Sequence, residues 1–120
     1  MVVVNETEYA LLLKAFGKCF NKPLLITNGS KGSCYLSNAE NFRVKSPTVQ
    51  PVDTTGAGDT YLGYFASNLD QKKSVNDSME IASFAAALQV TRYVTSEAIP
   101  RLSEVKMFWK KSGIQTLALH

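Results

Sequence analysis

The arrangement that most constrains the fold of this chain is a strand, a helix and a second strand at its start. Val2 to Val4 is a β-branched run, and residues 23–27 form a second short, almost wholly apolar run. Both are typical of strands covered on both faces. Between them, Asn5 can cap a helix that runs to about Cys19. This βαβ order predicts a pair of parallel strands in an α/β fold.

The rest of the chain continues this mixed pattern. Residues 34–36 and 42–44, on either side of a turn at 38–41, predict a hairpin. We expect helices at about 58–69, 75–92 and 102–109, whereas the pattern at 114–120 fits either a strand or a frayed end. In the first helix, the residues expected to form the apolar face are Leu11, Leu12, Ala15 and Phe16.

Composition and charge narrow the classes of function. With 120 residues, 45% of them hydrophobic and 19% charged, the chain is expected to form one globular domain. Its net charge of +3 comes from scattered Lys and Arg residues, which disfavours binding to nucleic acid or to membranes. Cys19 and Cys34 lack metal-ligand spacing and are expected to be reduced thiols. No signal peptide or membrane-spanning run is evident, so we expect a cytoplasmic protein.

The segment VDTTGAGDTY, residues 52–61, carries the most specific chemistry in the sequence. Gly56 and Gly58 allow a sharp turn that points backbone N–H groups outward, and the following helix adds its positive end. Phosphate is the usual ligand of such an anion cradle. Asp59 beside it suggests a base for phosphoryl transfer. The alternative is an ordinary turn followed by an acidic residue in the first turn of a helix.

Two better-known glycine motifs do not match this segment. A P-loop requires Gly, four residues, and then Gly-Lys followed by Ser or Thr, and no such string occurs. The dinucleotide fingerprint requires a third glycine where Tyr61 stands. The segment therefore needs another explanation.

Residues 53–59, DTTGAGD, closely resemble the signature of the ribokinase-like, or PfkB-type, carbohydrate kinases. Three more stretches resemble motifs of that family in the same order. They are Asn5-Glu6-Thr7-Glu8, Thr27-Asn28-Gly29-Ser30-Lys31-Gly32, and the run from Ala85 to Arg92. The resemblance implies a partial ribokinase-like three-layer fold, with a truncated, mainly parallel sheet flanked by helices.

The resemblance also implies a role for each motif. Asp59 would be the general base that deprotonates a sugar or nucleoside hydroxyl, and the amides of Gly56, Ala57 and Gly58 would bind the transferring phosphoryl group of ATP. The residues implied in metal binding are Asn5 and Glu8 for Mg²⁺ and Asp53 for K⁺. Those implied in ATP binding are Thr27, Gly29, Ser30 and Gly32.

Purely structural roles remain open for several of these residues. Asn5 can be a helix cap and Glu8 an acid in the first turn, with no metal involved. Gly29 and Gly32 can be turn residues, and Asp53 can be a loop carboxylate that accepts hydrogen bonds from nearby amides.

The sequence departs from the family pattern in three side chains and in length. Tyr61 stands where Phe is usual, Tyr64 where a small residue is usual, and Val94 where Gly is frequent. Residues 1–120 correspond to a single C-terminal portion that holds the phosphate machinery, without the N-terminal sugar-binding half and lid. We therefore expect the isolated chain to be inactive, as a split enzyme, a remnant or a shortened piece. A non-catalytic nucleotide-binding remnant and a self-associating interaction domain are the alternatives, and the bare edge of the Val2–Val4 strand predicts a homodimer.

Overall fold

The computed structural model of the chain describes residues 1–17, 21–92 and 99–112. Its elements, in chain order, are β1 (Val2–Asn5), α1 (Glu6–Phe16), β2 (Leu24–Thr27), β3 (Ser33–Leu36), β4 (Asn41–Val44), α2 (Ala57–Asp70), α3 (Val75–Val90) and α4 (Leu102–Ser112). A single 3-10 turn at Gly29–Lys31 lies between β2 and β3. Among these residues, no helix combines the length and apolar character that a membrane crossing requires. Three earlier expectations, for Cys19, Val94 and the 114–120 tail, concern residues outside the described ranges.

The four strands form one sheet in the order β1-β2-β3-β4. β1 and β2 are parallel, with Val2 opposite Leu24 and Asn5 opposite Thr27, which confirms the predicted βαβ unit. The pairs β2–β3 and β3–β4 are antiparallel, which confirms the predicted hairpin. The sheet of the described residues is thus mixed rather than mainly parallel, because short connections can only reverse the chain.

The larger part of the core lies between the sheet and the helices α2 and α3. Side chains from β2, β3 and β4 meet those of both helices in a cluster of Leu25, Tyr35, Val44, Tyr61, Phe65, Met79 and Ala82. Leu25 and Met79 are fully buried, and burying a side chain of that size contributes about 1.5–3 kcal/mol. This face of the sheet therefore fixes the position of α2, whose start carries the glycine-rich segment.

The opposite face of the sheet is covered by α1, which makes a three-layer arrangement with helices on both faces. Val4, Leu24 and Ile26 form its core, and Tyr9 and Leu12 of α1 pack against them. The predicted apolar face of α1 is confirmed at Leu12 but wrong at Leu11, Ala15 and Phe16, which are exposed. Tyr9 and Leu12 are three residues apart and share one side of the helix, whereas Leu11 is turned about 100° away from Leu12.

The helix α4 packs on the outer side of α3, where Val105 and Trp109 contact Ile81, Phe84 and Ala85. The hydroxyl of Tyr64 donates a hydrogen bond to the carbonyl oxygen of Pro100, and its ring lies between the two core clusters. A bulky residue at this position is thus accommodated by the segment that leads into α4.

Candidate functional site

The start of α1 is closed by a reciprocal pair of hydrogen bonds. The side-chain oxygen of Asn5 accepts from the Glu8 amide at 2.8 Å, and Glu8 Oε1 accepts from the Asn5 amide at 2.9 Å. This is a capping box, which satisfies two backbone donors that a helix start otherwise leaves unpaired. Both side chains are exposed. The helix-cap role of this pair is therefore present in the structure, and a role in metal binding stays a prediction.

The turn after β2 is stabilised by its own backbone. The Asn28 amide donates to the Gly32 carbonyl at 2.8 Å, and the Gly32 amide donates to the Gly29 carbonyl at 3.1 Å. Gly29 has a φ of +52°, and a Cβ built on it would meet no atom within 4 Å. The approach to Gly29 is thus open, as a nucleotide-binding turn requires.

Gly32 is required by the fold itself. Its φ is +100°, and a Cβ at this position would lie 2.1 Å from the Val44 carbonyl oxygen and 3.0 Å from the Lys45 Cα. No side chain fits between this turn and the end of β4 without moving backbone. The predicted contact of Gly32 with ATP stays a prediction beside this structural requirement.

The segment from Val52 to Gly56 is held by the end of α3. The Val90 carbonyl oxygen accepts from the Val52 amide at 2.6 Å and from the Asp53 amide at 3.1 Å. Asp53 Oδ1 accepts from the Thr55 amide at 2.9 Å, which is the bond expected of a loop carboxylate. The predicted binding of K⁺ by Asp53 is separate from this bond and stays a prediction.

The start of α2 presents free backbone donors. Among the residues that the structure describes, the amides of Gly56, Gly58 and Asp59 have no hydrogen-bond partner, whereas the Ala57 amide donates to the Thr54 carbonyl oxygen at 3.3 Å. Asp59 lies in the first turn of α2 with its side chain exposed. Unpaired amides at the positive end of a 14-residue helix can bind an anion.

Three of the four motifs, at residues 5–8, 27–32 and 53–59, meet at one end of the sheet. Asn5 is opposite Thr27 in the parallel pair, and Thr27 is opposite Ser33 in the antiparallel pair. The hydroxyls of Ser33 and Tyr61 are 2.8 Å apart and share a buried hydrogen bond, which places the first turns of α2 beside the same end. In α/β sheets, ligands bind outside the carboxyl ends of the parallel strands, which is where these motifs lie.

Tyr61 links the turn at residues 28–32 to the start of α2, because its partner Ser33 directly follows Gly32. Burial raises the Tyr61 pKa to about 12, although the bond to Ser33 partly opposes this. In the unfolded chain the Tyr61 hydroxyl loses its proton near pH 10, whereas in the folded state it stays protonated up to about pH 12. Because the unfolded state alone gains free energy from this deprotonation, the folded state loses about 2–3 kcal/mol of stability as the pH rises from 10 to 12.

We expect Tyr61→Phe to weaken the fold at pH 7 by about 1–3 kcal/mol, because it leaves the buried Ser33 hydroxyl unpaired. The variant should also lose the part of the alkaline destabilisation that comes from Tyr61. Urea unfolding at pH 7 and at pH 11 measures both effects. A variant with the stability of the wild-type protein at pH 7 would show that the Ser33–Tyr61 bond contributes little.

The residues predicted to bind metal fit Mg²⁺ only in a limited way. Within residues 1–17, 21–92 and 99–112, no group of three or more His, Cys, Asp and Glu side chains is placed to hold a metal ion. Mg²⁺ commonly keeps several waters and binds one or two carboxylates together with substrate phosphates. Glu8, with one oxygen outside the capping box, and Asn5 fit such an ion if nucleotide phosphates supply the other ligands.

A cleft of about 190 Å³ lies at the opposite end of the sheet. It is lined by Tyr9, Leu12, Gly17, Leu24, Leu36 and Ser37, among others. None of the motif residues contributes to it. The candidate site is instead an open surface, since Asn5, Glu8, Gly58 and Asp59 are all exposed.

Taken together, the βαβ unit and the free amides at the start of α2, near its carboxyl end, define an α/β protein with a candidate anion site. Comparison with known proteins identifies the family within this class. The sequence pattern described as "pfkB family carbohydrate kinase" matches residues 1–102. The chain therefore belongs to the pfkB family of carbohydrate kinases.

Individual relatives agree with the family. A ribokinase of Schizosaccharomyces pombe is 39% identical over 102 residues, which cover 84% of this chain and 31% of the relative. A 5-dehydro-2-deoxygluconokinase of Clostridium tetani is 33% identical over 108 residues, covering 89% of this chain and 31% of the relative. The chain spans about a third of the length of the relatives it matches.

Solved structures of the family share the fold. The ribokinase of Thermotoga maritima superimposes with a TM-score of 0.79 at 30% identity, over 91% of this chain and 42% of that one. A ribokinase II structure from E. coli, in complex with ATP and Mg²⁺, gives a TM-score of 0.79 at 28% identity, over 92% of this chain and 39% of that one. The predicted partial ribokinase-like fold is confirmed.

Two contacts of the site were not evident from the sequence. Ser33 and Tyr61 are 28 residues apart, and Gln89 of α3 reaches Thr55 across 34 residues. The one available signal was Gln89 itself, an amide side chain within the apolar run of α3. A buried amide in such a run indicates a specific hydrogen-bond partner, but it does not say which.

Proposed function

We propose that this chain is the phosphoryl-transfer part of an ATP-dependent kinase that phosphorylates a hydroxyl of a sugar or nucleoside. The observation that carries the proposal is the meeting of three motifs at one sheet end, with the free amides of Gly56 and Gly58 beside the exposed carboxylate of Asp59. An anion site next to a carboxylate suits a reaction in which a phosphoryl group arrives and a proton leaves.

In the proposed reaction, the Asp59 carboxylate takes the proton of the acceptor hydroxyl. The acceptor oxygen then bonds to the γ-phosphorus of ATP as the bond to the β-phosphate oxygen breaks and ADP leaves. The amides of Gly56, Ala57 and Gly58 stabilise the charge on the transferring group, for which Ala57 must give up its long bond to Thr54. Asn5 and Glu8 would hold Mg²⁺, which would supply positive charge to neutralise the phosphates.

The remaining parts of the proposal concern the nucleotide and the monovalent ion. Thr27, Gly29, Ser30 and Gly32 form the turn against which ATP lies, and the open approach to Gly29 supports this. Asp53 is proposed to bind K⁺ from the segment that precedes the anion site. The E. coli ribokinase II structure, with bound ATP and Mg²⁺, supports ATP and Mg²⁺ as cofactors.

The isolated chain is proposed to be inactive, because its candidate site is open to water. Exclusion of water and orientation of the acceptor are large contributions to phosphoryl transfer. The described residues place no element over Asp59, whose side chain is exposed.

Nucleotide binding to the chain tests the proposal. Addition of Mg²⁺ and the non-hydrolysable ATP analogue AMP-PNP should shift the NMR amide signals of Gly29, Ser30, Gly56 and Gly58 at millimolar concentrations. AMP, which lacks the terminal phosphates, should not shift the amide signals of Gly56 and Gly58 when it is added with Mg²⁺. Absence of a response at these glycines, or a response confined to the cleft near Ser37, would refute the site.

Self-association is the second candidate function. β1 is at the edge of the sheet formed by the described strands, and the Val3 side chain is 37% exposed although its partner Leu25 in β2 is fully buried. A bare β-branched edge pairs readily with another strand. We propose that two copies associate as a two-fold dimer through this edge.

The expected result is a dimer in light scattering at micromolar concentration. Val3→Lys should shift it to monomer, because a charged side chain on an edge strand opposes pairing. Lys106→Glu, on α4 away from the edge, is the control for a change of charge and should leave the dimer intact. A wild-type monomer at this concentration would exclude the dimer.

A further inference from the structure

The turn that leads into α2 has a defined geometry. The Ala57 amide donates to the Thr54 carbonyl oxygen, and Gly56 has φ +80° and ψ −1°. These angles are those of the third residue of a type II β-turn. The peptide unit between Thr55 and Gly56 is therefore the central unit of this turn.

The direction of that peptide unit decides where the Gly56 amide points. Type I and type II turns differ by a flip of the central peptide, and glycine adopts the positive or negative φ of either one at little cost. In a trans peptide, the carbonyl of Thr55 and the N–H of Gly56 point in opposite directions. Whatever holds the Thr55 carbonyl inward also turns the Gly56 N–H outward.

Gln89 of α3 holds the Thr55 carbonyl. Its side-chain Nε2 donates to that oxygen at 3.0 Å, and the residue is only 2% exposed. The same nitrogen would lie 2.8 Å from a Cβ built on Gly56, so the amide group sits directly against the turn. Because the acceptor is a carbonyl, the bonded atom of Gln89 must be the nitrogen.

We propose that Gln89 is a positioning residue that selects the type II turn and thereby aims the Gly56 N–H at the phosphoryl group. This inference rests on the proposed function, in which the start of α2 binds that group. Gln89 acts on the Thr55–Gly56 peptide alone. The Gly58 amide, two residues further on, is not aimed by it.

The other end of the same amide argues against a role in stability alone. Gln89 Oε1 is buried and has no hydrogen-bond partner among the described residues, which is costly for the fold. A leucine at this position would remove that unpaired oxygen and nearly keep the volume. Because Thr55 is an exposed residue, its carbonyl, once released, could turn outward and bind water. Gln89→Leu should therefore leave the unfolding midpoint close to that of the wild-type protein.

The experiment compares phosphate binding in the wild-type chain and in Gln89→Leu. Inorganic phosphate is titrated while the NMR amide signals of Gly56 and Gly58 are followed. In the wild-type chain both signals should shift. In Gln89→Leu the shift of Gly56 should fall about five-fold or more while that of Gly58 persists. Ser78→Ala, which removes another buried and unpaired polar atom of α3 far from the turn, is the matched control and should behave as wild type.

The outcomes distinguish a failure of the proposed function from a failure of the role of Gln89. If phosphate shifts neither the Gly56 nor the Gly58 signal of the wild-type chain, the proposed function is overturned. If the wild-type chain responds and Gln89→Leu shows the same shift at Gly56, or loses the shift equally at both glycines, the role of Gln89 is overturned. Gln89→Met, of similar length and without a donor, repeats the test if the leucine variant does not fold. The Thr55 carbonyl ¹³C signal, which should move in either variant before phosphate is added, reports the lost hydrogen bond.

Discussion

Asp59→Asn is expected to lower kcat by about 10²–10⁴-fold in a full-length enzyme that contains this segment, because general-base catalysis contributes an acceleration of that size. A suitable enzyme is the S. pombe ribokinase with its matching segment replaced by residues 1–102 of this chain, the range that matches the family. Asparagine keeps the shape of the side chain but cannot take the proton of the acceptor hydroxyl. The KM for ATP should stay within a few-fold, since the anion-binding amides are unchanged.

Asp70→Asn provides the matched control for this variant. Asp70 is exposed at the other end of α2, so the same chemical change there touches no motif. The control should keep the turnover of the unmodified hybrid. Turnover of Asp59→Asn within about three-fold of the unmodified hybrid would remove Asp59 as the base.

Gly32→Ala is the substitution with the largest expected effect on stability, about 3 kcal/mol or more. The added Cβ would overlap the Val44 carbonyl oxygen, and the φ of +100° is itself strained for alanine. Single domains are stable by only about 5–15 kcal/mol, so this loss is a large part of the total. Urea unfolding of the 120-residue chain measures it.

Gly63→Ala is the control for this measurement. Gly63 lies inside α2, and a Cβ there would meet no atom within 4 Å. This variant should be neutral or more stable by up to about 1 kcal/mol, because alanine favours helix over glycine. If Gly32→Ala were as stable as the wild-type chain, the turn could not approach β4 as closely as the structure shows.

Local features of this fold were predictable from the sequence. The capping box at Asn5 and Glu8 is encoded within four residues, and the parallel pairing of β1 with β2 follows from the helix between them. The glycine-rich segment identified the start of α2 to within one residue, at Ala57 rather than Gly58. These signals were readable because the interacting groups are close in sequence or repeat with a regular period.

Contacts between distant segments were not predictable in the same way. The sequence indicated that α1 is amphipathic, but which side packs on the sheet depends on the rotation of the whole helix, and Tyr9 rather than Leu11 faces inward. The bonds from Gln89 to Thr55 and from Tyr61 to Ser33 depend on how α2 and α3 sit on the sheet. No local pattern in the sequence fixes that placement.

The most direct test of the central claim is sugar-dependent ADP release by the hybrid ribokinase with residues 1–102 in place of its own segment. The assay uses the sugar substrate of the parent enzyme with ATP, Mg²⁺ and K⁺, and the isolated 120-residue chain is measured beside it. We expect the kcat of the hybrid to lie within about 100-fold of that of the parent, which corresponds to a loss of less than about 3 kcal/mol of transition-state stabilisation. The isolated chain should show no sugar-dependent release of ADP. A folded hybrid without turnover would contradict the claim that this segment carries the phosphoryl-transfer machinery.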